Sequence, residues 1–165
     1  MKSFTIRPIA EGDRDWVRDL FAEHWGSSLV ITRGTAHQAD ALPGFIAAEK
    51  GGGVRIGLLT YRIDGDECEI VSLNSLREGI GVGGALLGAA TEEARRAGCL
   101  RALLITTNDN LPAVRFYQKR GWRLRAVYPG AIRESRRRKP AIPETGVDGI
   151  PIRDEIELEL PLDGR

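Results

Sequence analysis

Cysteine, histidine and methionine are scarce in this chain, and the scarcity excludes some classes of protein. Among 165 residues there are two cysteines, two histidines and one methionine. The cysteines, Cys68 and Cys99, stand alone, without CxxC spacing and without histidines beside them. A disulfide framework or a zinc site needs a set of spaced ligands, so we expect neither, and no metal cofactor. Unpaired cysteines are typical of a reducing compartment, which predicts a cytoplasmic protein.

Long apolar runs and an excess of one charge sign are also missing. No apolar run approaches the roughly 20 residues that a membrane span requires, and the N-terminus has no apolar signal segment. The formal net charge is only +1, which argues against a protein that coats nucleic acid. The chain has 42% hydrophobic and 28% charged residues. This composition predicts one globular domain over residues 1–165 that binds neither membranes nor nucleic acid.

Hydrophobic periodicity and turn signals predict strands and helices in alternation. Apolar residues at helical spacing predict helices over 13–24, 82–97 and 111–120, the first of them capped by Asp13. Strand patterns are found over 5–8, 45–50, 54–62, 67–73, 100–107, 122–128 and 152–160. Glycine-rich turns should join the second, third and fourth strands into an antiparallel meander. The segment 26–43 is predicted as loop with a short helix, and the basic run 133–139 as a solvated helix face.

A glycine-rich stretch after the strand predicted over 67–73 carries the strongest chemical signal. Four glycines occupy six positions in the sequence Gly79-Ile80-Gly81-Val82-Gly83-Gly84. Glycine lets the backbone approach a ligand closely, and the free N–H groups at a helix start attract anions. The stretch therefore predicts a cradle for the phosphates of a cofactor. It also matches G-x-G-x-x-G, with Asp109 ending the next strand, so a dinucleotide-binding oxidoreductase is an alternative; the lack of GxxxxGK excludes a P-loop.

A second motif makes the assignment more specific. The sequence Asn110-Leu111-Pro112-Ala113-Val114-Arg115-Phe116-Tyr117-Gln118-Lys119-Arg120-Gly121-Trp122 fits the pattern N-x-x-A-x-x-x-Y-x-x-x-G-[FW]. With the segment from Glu69 through Gly88, it resembles the GNAT superfamily of acetyl-CoA-dependent N-acetyltransferases. The resemblance implies an α/β fold with a mixed, twisted, mainly antiparallel sheet flanked by helices. One departure is Glu78, which stands where the family usually has Gln or Arg, so we expect its side chain to point to solvent.

The resemblance implies roles for particular residues. It places the pantetheine arm of acetyl-CoA against the backbone of Val71, Ser72 and Leu73, and the pyrophosphate on the N–H groups from Gly79 to Gly84. Asn110 caps its helix and contacts the pantetheine arm. Tyr117 approaches the thioester sulfur and protonates the leaving thiolate. The acceptor implied is a small-molecule or peptide amine, and the resemblance also allows a homodimer.

Glutamates are the candidates for taking a proton from the acceptor. An amine with a lysine-like pKa near 10.4 must spend about 4–5 kcal/mol to be neutral at pH 7, so a carboxylate or an ordered water is useful. Glu67 and Glu69 lie on one face of their strand, and Glu69 fits the family's E-I-x-x-L pattern better. Both could equally be solvent-facing strand residues. Glutamates at alternate positions of the last strand are predicted to form a solvated face: Glu155, Glu157 and Glu159. A non-catalytic acyl-CoA-binding module is a further alternative.

Overall fold

The fold is a mixed β-sheet with helices on both faces, seen in a computed structural model that describes residues 2–162. The strands are β1 Phe4–Pro8, β2 Leu29–Thr32, β3 Thr35–Gln38, β4 Gly44–Glu49, β5 Arg55–Asp64, β6 Glu67–Ser75, β7 Arg101–Thr107, β8 Arg123–Tyr128 and β9 Glu155–Pro161. The α-helices are α1 Arg14–Trp25, α2 Val82–Arg96, α3 Leu111–Gln118 and α4 Ala131–Arg138.

Seven strands form one sheet in the order β1-β4-β5-β6-β7-β9-β8. Every neighbouring pair is antiparallel except β6 and β7, which are parallel. This exception follows from the connection, because the chain between these strands crosses over through α2, and such a crossover returns the chain in the same direction. The predicted mainly antiparallel, mixed sheet and the β4-β5-β6 meander are thus confirmed.

Each face of the sheet is covered by one main helix. On one face α2 buries Leu86, Ala90 and Ala94, which recur at the spacing of one helix side, in the larger core cluster. On the other face α1 buries Val17, Leu20 and Phe21 in a second cluster. Val71 of β6 belongs to this second cluster, so its side chain lies on the α1 face of the sheet.

The segment 26–43 contains a β-hairpin where the sequence predicted loop with a short helix. Strands β2 and β3 pair from Leu29↔Gln38 to Thr32↔Thr35 and form a separate two-stranded sheet. The turn is made by Arg33 and Gly34, both with positive φ (48° and 75°). Two positive φ values are typical of a tight hairpin turn. The hairpin was missed because Arg-Gly is not one of the recognised turn pairs and each strand has only four residues. The predicted short helix corresponds to a 3-10 helix, Ala39–Ala41, after β3.

Asp13 occupies the N-cap position of α1, as predicted, but its side chain forms ion pairs instead of a cap hydrogen bond. Its carboxylate accepts hydrogen bonds from Arg7 Nη1 (2.6 Å), Arg7 Nη2 (2.9 Å), Arg55 Nε (2.9 Å) and the Ala10 N–H (2.8 Å). The carboxylate thereby fastens β1 and β5 to the turn that precedes α1. The hydrogen bonds from Arg7, with those from Ala10 and Arg55, hold the pKa of Asp13 well below its usual value.

We expect the substitution Asp13→Asn to reduce stability near neutral pH. Asp13 is buried but Arg7 and Arg55 are partly exposed, so we expect a loss nearer to that of a hydrogen bond to a charged group, about 1.5–3 kcal/mol. Since the pKa of Asp13 is depressed in the folded state, its contribution is present above the unfolded value of about 3.9 and is lost as the pH falls below it. Urea unfolding at neutral pH and at about pH 3 should therefore show a smaller difference between variant and wild type at the lower pH. The exposed pair of Arg62 with Asp64 supplies the control Asp64→Asn, which should change little. Equal stability of Asp13→Asn and wild type at neutral pH would contradict this account.

Within residues 2–162, no helix has the length and apolar character needed to cross a membrane. Over the same residues, no three His, Cys, Asp or Glu side chains are grouped so as to hold a metal ion.

Candidate active site

A cleft opens where the two parallel strands separate. Strands β6 and β7 pair only from Glu67↔Arg101 to Ile70↔Leu104, and beyond these residues they diverge. The gap is a cavity of about 370 Å³ between the two strands, the end of α1 and the start of α3. Its lining includes His24, Trp25, Val71, Ser72, Leu73, Thr106, Asn110, Ala113 and Tyr117. The three β6 residues predicted to hold pantetheine are therefore cleft residues.

A β-bulge in β6 helps to open this cleft. The pairing with β5 changes from Tyr61↔Ile70 to Thr60↔Ser72, so Val71 is an extra residue without an opposite partner. A bulge bends its strand and increases the local twist, which turns β6 away from β7. The hydroxyl groups of Thr60 and Ser72, 2.6 Å apart, tie the bulged strand to β5. Beyond Ile70, the edge of β6 that faces the cleft has no strand paired with it in the described part of the chain.

The glycine loop lies between β6 and α2. Gly79 and Gly81 have φ values of +79° and +86°, which a residue with a Cβ adopts only under strain. Within the described part of the chain, the N–H groups of residues 79–84 make no well-formed backbone hydrogen bond to another element. Close to the start of α2, the Arg120 guanidinium stacks on the Phe116 ring at 3.7 Å and lies beside Gly84. The loop thus presents free N–H donors, a helix N-terminus and a nearby cation. Glu78 is exposed, as predicted.

Tyr117 and Asn110 of the second motif both lie in the cleft. Asn110 is the N-cap of α3, and its side-chain oxygen accepts a hydrogen bond from the Ala113 N–H (3.3 Å), so the predicted cap is confirmed. Tyr117 is buried between the rings of Phe116 and Trp122, with centroids 5.1 and 5.5 Å away. Burial raises the pKa of Tyr117, which Arg120 opposes only in part. At neutral pH its hydroxyl is therefore protonated and can donate a proton or hydrogen bond.

The two strand glutamates lie on one face of β6 but in different surroundings. Glu67 forms an ion pair with Arg101. It lines neither the cleft nor a smaller cavity that adjoins the cleft. Glu69 is buried and does not line the cleft directly; its carboxylate accepts a hydrogen bond from the Thr32 hydroxyl (2.6 Å) and lies 3.4 Å from Arg33 Nη2. Their assignment as proton acceptors stays a prediction.

A buried histidine completes the surroundings of Glu69. Because the single proton of the Thr32 hydroxyl points to Glu69, the nearby His37 Nε2 (2.8 Å from Thr32 Oγ1) must carry a hydrogen and donate it. Burial lowers the pKa of His37 although Glu69 acts in the opposite direction, so the ring is neutral at physiological pH.

The glutamates of β9 are not a solvated face, and that prediction was wrong. Glu155 and Glu157 are each only 2% exposed, and Glu159 is half-buried. Glu157 is contacted by Arg33, Arg101, Arg125 and Tyr128. Glu159 is contacted by Arg101, Arg123 and Arg125. The alternation of Glu with Ile and Leu correctly indicated one polar face of β9. It could not reveal that charged side chains of other elements cover that face.

A second, smaller cavity adjoins the cleft. It has a volume of about 220 Å³ and shares with the cleft the residues Trp25, Val71, Ile105, Thr106 and Asn110. The β2–β3 hairpin and α4 form its other walls, with Thr32, Lys139 and Glu155 among the lining residues. Sequence reasoning missed these three because the hairpin was not predicted and the basic run was treated as solvated. Lys139 Nζ in fact donates to the Leu29 carbonyl (2.8 Å), and burial lowers its pKa.

Comparison with known proteins identifies the family. The model of the acetyltransferase (GNAT) family matches residues 13–122, which is well over half of the chain and includes both motifs. The chain belongs to the GNAT acetyltransferase family. Membership in this family supports acetyltransfer as the general activity of the chain.

Relatives in sequence and structure agree with this membership. The uncharacterized protein YdhI of Bacillus subtilis (strain 168) is 46% identical over 158 residues, which span 96% of this chain and 98% of that protein. A GNAT acetyltransferase from Elizabethkingia anophelis, solved with acetyl-CoA bound, has a TM-score of 0.68 at 20% identity and covers 98% and 100% of the two chains. YncA, a putative acetyltransferase from Salmonella typhimurium solved with acetyl-CoA, has a TM-score of 0.68 at 19% identity and covers 99% and 96%. At these identities the two structures show the shared fold.

The GNAT fold removes the dinucleotide alternative raised by the glycine motif. A doubly wound dinucleotide-binding sheet consists of parallel strands, whereas only β6 and β7 are parallel here. Asp109 does not face a ribose site. Its buried carboxylate accepts hydrogen bonds from the Thr107 hydroxyl (2.5 Å) and the Val147 N–H (3.0 Å), so it links the end of β7 to the segment before β9.

Proposed function

We propose that this protein is an N-acetyltransferase that moves the acetyl group of acetyl-CoA directly to a primary amine. The observation that carries the proposal is the cleft itself. There, the free edge of β6, the start of α3 and the Tyr117 side chain come together beside the point where β6 and β7 separate. The glycine loop follows β6 directly in the chain and leads into α2.

The residues of the loop and the strand suit the donor. The N–H groups of residues 79–84, at and before the start of a 15-residue helix, would form a nest for the pyrophosphate. The helix dipole adds to the attraction of this nest for negative charge. A Cβ at Gly79 or Gly81 would meet no atom of the described residues within 4 Å, so the loop faces open space. The backbone of Val71, Ser72 and Leu73 would bind the pantetheine amides as an added strand would, and Asn110 lies opposite.

The proposed reaction has one nucleophilic step. The amine nitrogen attacks the thioester carbonyl carbon, a C–N bond forms, and the C–S bond breaks. The Tyr117 hydroxyl gives its proton to the departing sulfur, and the proton lost by the amine restores the phenol through solvent. The products are an acetamide and free CoA, so atoms and charge balance.

A proton acceptor is needed for the attacking amine. We propose that water in the cleft takes this proton and that Glu69 assists through the Thr32 hydroxyl. Thr32 lines the smaller cavity, which adjoins the cleft, and its hydroxyl donates a hydrogen bond directly to Glu69. Glu67 is the weaker candidate, because it is the first residue of β6, away from the cleft, and forms an ion pair with Arg101. A single domain over 1–165, a cytoplasmic location and a homodimer remain predictions.

Two measurements test the proposal. In a calorimetric titration we expect the protein to bind acetyl-CoA and not NAD. With acetyl-CoA present, we then expect release of free thiol that depends on an added primary amine, measured against a reaction without amine. Binding without thiol release for any amine in a broad panel would favour the non-catalytic acyl-CoA-binding module and contradict the proposal.

A further inference from the structure

Glu155 differs from the other strand glutamates in having no basic partner. Four glutamates on this face of the sheet form ion pairs with arginines, and these are Glu67, Glu69, Glu157 and Glu159. Within residues 2–162, no Arg, Lys or His forms an ion pair with Glu155, and its one hydrogen bond is accepted by Oε1 from the Arg33 N–H (3.1 Å). The Arg33 guanidinium attracts Glu155 only from a distance, because it pairs with Glu69 and Glu157. A carboxylate that is 2% exposed and forms no ion pair is costly.

The free oxygen of this carboxylate borders the smaller cavity. Glu155 is a lining residue of that cavity, and Oε2 makes no hydrogen bond within the described residues. Every fully buried side-chain nitrogen or oxygen in that part of the chain has a hydrogen-bond partner. Since Oε2 has none, it is not fully buried, and it is accessible from the cavity that Glu155 lines. Burial raises the pKa of Glu155. A cationic group in the cavity would supply the counter-ion that the protein itself does not.

The remaining walls suit an apolar body with a single charge. About half of the lining is apolar, with aliphatic side chains at Val30, Ile31, Ile105, Ile132 and Ile142, and neutral hydroxyl and amide groups supply most of the rest. An apolar cavity of about 150 Å³ can hold benzene, so 220 Å³ accommodates an aromatic ring or aliphatic chain with a short amine-bearing arm. Lys139 is also in the wall and would repel a second ammonium group. A polyamine does not fit the charge of the cavity, and a large aminoglycoside fits neither its size nor its charge.

We propose that the smaller cavity is the acceptor site, that it takes small primary monoamines with an apolar body, and that Glu155 binds their ammonium group. This inference rests on the proposed N-acetyltransferase function and names its substrate class. The cavity adjoins the acetyl-CoA cleft through Val71, Thr106 and Asn110, so an amine released from Glu155 has a short path to the thioester.

The test compares acceptors and one variant. With acetyl-CoA, we expect turnover of 2-phenylethylamine to exceed that of L-phenylalanine, which adds a carboxylate, and of spermidine, which adds charges. In Glu155→Gln the KM for 2-phenylethylamine should rise about 10- to 100-fold, because a charge-assisted hydrogen bond is lost. The matched control is Glu159→Gln on the same strand, outside the cavity, which should keep the wild-type KM. Acetyl-CoA affinity, measured by calorimetry, should be unchanged in both variants.

A second readout separates this inference from the proposed function. Binding of 2-phenylethylamine to the protein loaded with CoA can be titrated without any reaction. If it binds, and Glu155→Gln weakens it, while no amine releases thiol, the acceptor site stands and the proposed transfer fails. If spermidine or L-phenylalanine is the better acceptor, or if Glu155→Gln leaves both KM and amine binding unchanged, the inference is overturned while N-acetyl transfer stands.

Discussion

The substitution Tyr117→Phe is expected to lower kcat by about 10²- to 10³-fold, the usual contribution of a positioned general acid. The hydroxyl lies in the cleft and is held in its protonated form by burial, so phenylalanine removes the proton donor and little else. Phenylalanine keeps the ring contacts with Phe116 and Trp122, so the fold should be preserved. Steady-state thiol release gives kcat, and a calorimetric titration gives the Kd of acetyl-CoA, which should change less than about threefold.

A second tyrosine supplies the control for this experiment. Tyr61 is half-buried, stacks on Phe45 at 6.0 Å and lines neither cavity. The substitution Tyr61→Phe removes a hydroxyl from the same sheet and should leave kcat at the wild-type value. If Tyr117→Phe kept wild-type kcat, or if it weakened acetyl-CoA binding in proportion to the lost rate, Tyr117 would be a packing or binding residue with no part in proton transfer.

The substitution Gly81→Val is expected to weaken acetyl-CoA binding about 10- to 100-fold. A side chain at φ +86° costs about 1–2 kcal/mol, and a β-branched residue is among the least tolerant, so the loop must change shape. The N–H groups that would hold the pyrophosphate then no longer converge, and a loss of this size, about 1.4–2.7 kcal/mol, corresponds to about one hydrogen bond to a charged group. Calorimetric titration with acetyl-CoA measures the change.

Gly88 provides the matched glycine within α2. It lies on an exposed side of the helix, and a Cβ there would meet no atom within 4 Å among the described residues. Gly88→Ala should leave acetyl-CoA affinity unchanged and raise the free energy of unfolding by about 0.4–1 kcal/mol, because alanine is the better helix former. Unchanged affinity in Gly81→Val would indicate that the glycine loop is a structural turn and would remove the pyrophosphate cradle from the account.

Much of the fold could be predicted because local signals agreed with it. The turns around Gly51–Gly53 and Gly65 mark the meander, and the helical spacing that begins at Val82 marks α2. The parallel pairing of β6 and β7 follows from that helix. The motif around Asn110 and Tyr117 placed both residues in the cleft. In each case the information lies within about a dozen consecutive residues.

The missed features depend on contacts between distant parts of the chain. Glu155 is buried because the hairpin turn at Arg33, 122 positions away, covers it. Asp13 stands at the N-cap position of α1, but its carboxylate makes no cap hydrogen bond because it binds Arg7 and Arg55. No local pattern distinguishes a glutamate that faces water from one that faces an arginine of another strand, since both alternate with apolar residues. The smaller cavity was therefore outside the reach of sequence reasoning, whereas the cleft between β6 and β7 was within it.

The most direct test of the central claim is to follow a ¹³C-labelled acetyl group from acetyl-CoA in the presence of 2-phenylethylamine. By NMR we predict that the label appears in an acetamide, in step with thiol release, for the wild-type protein and far more slowly for Tyr117→Phe. If the label appeared only as free acetate, or stayed on CoA while acetyl-CoA bound and amines across a broad panel were present, N-acetyl transfer would be contradicted.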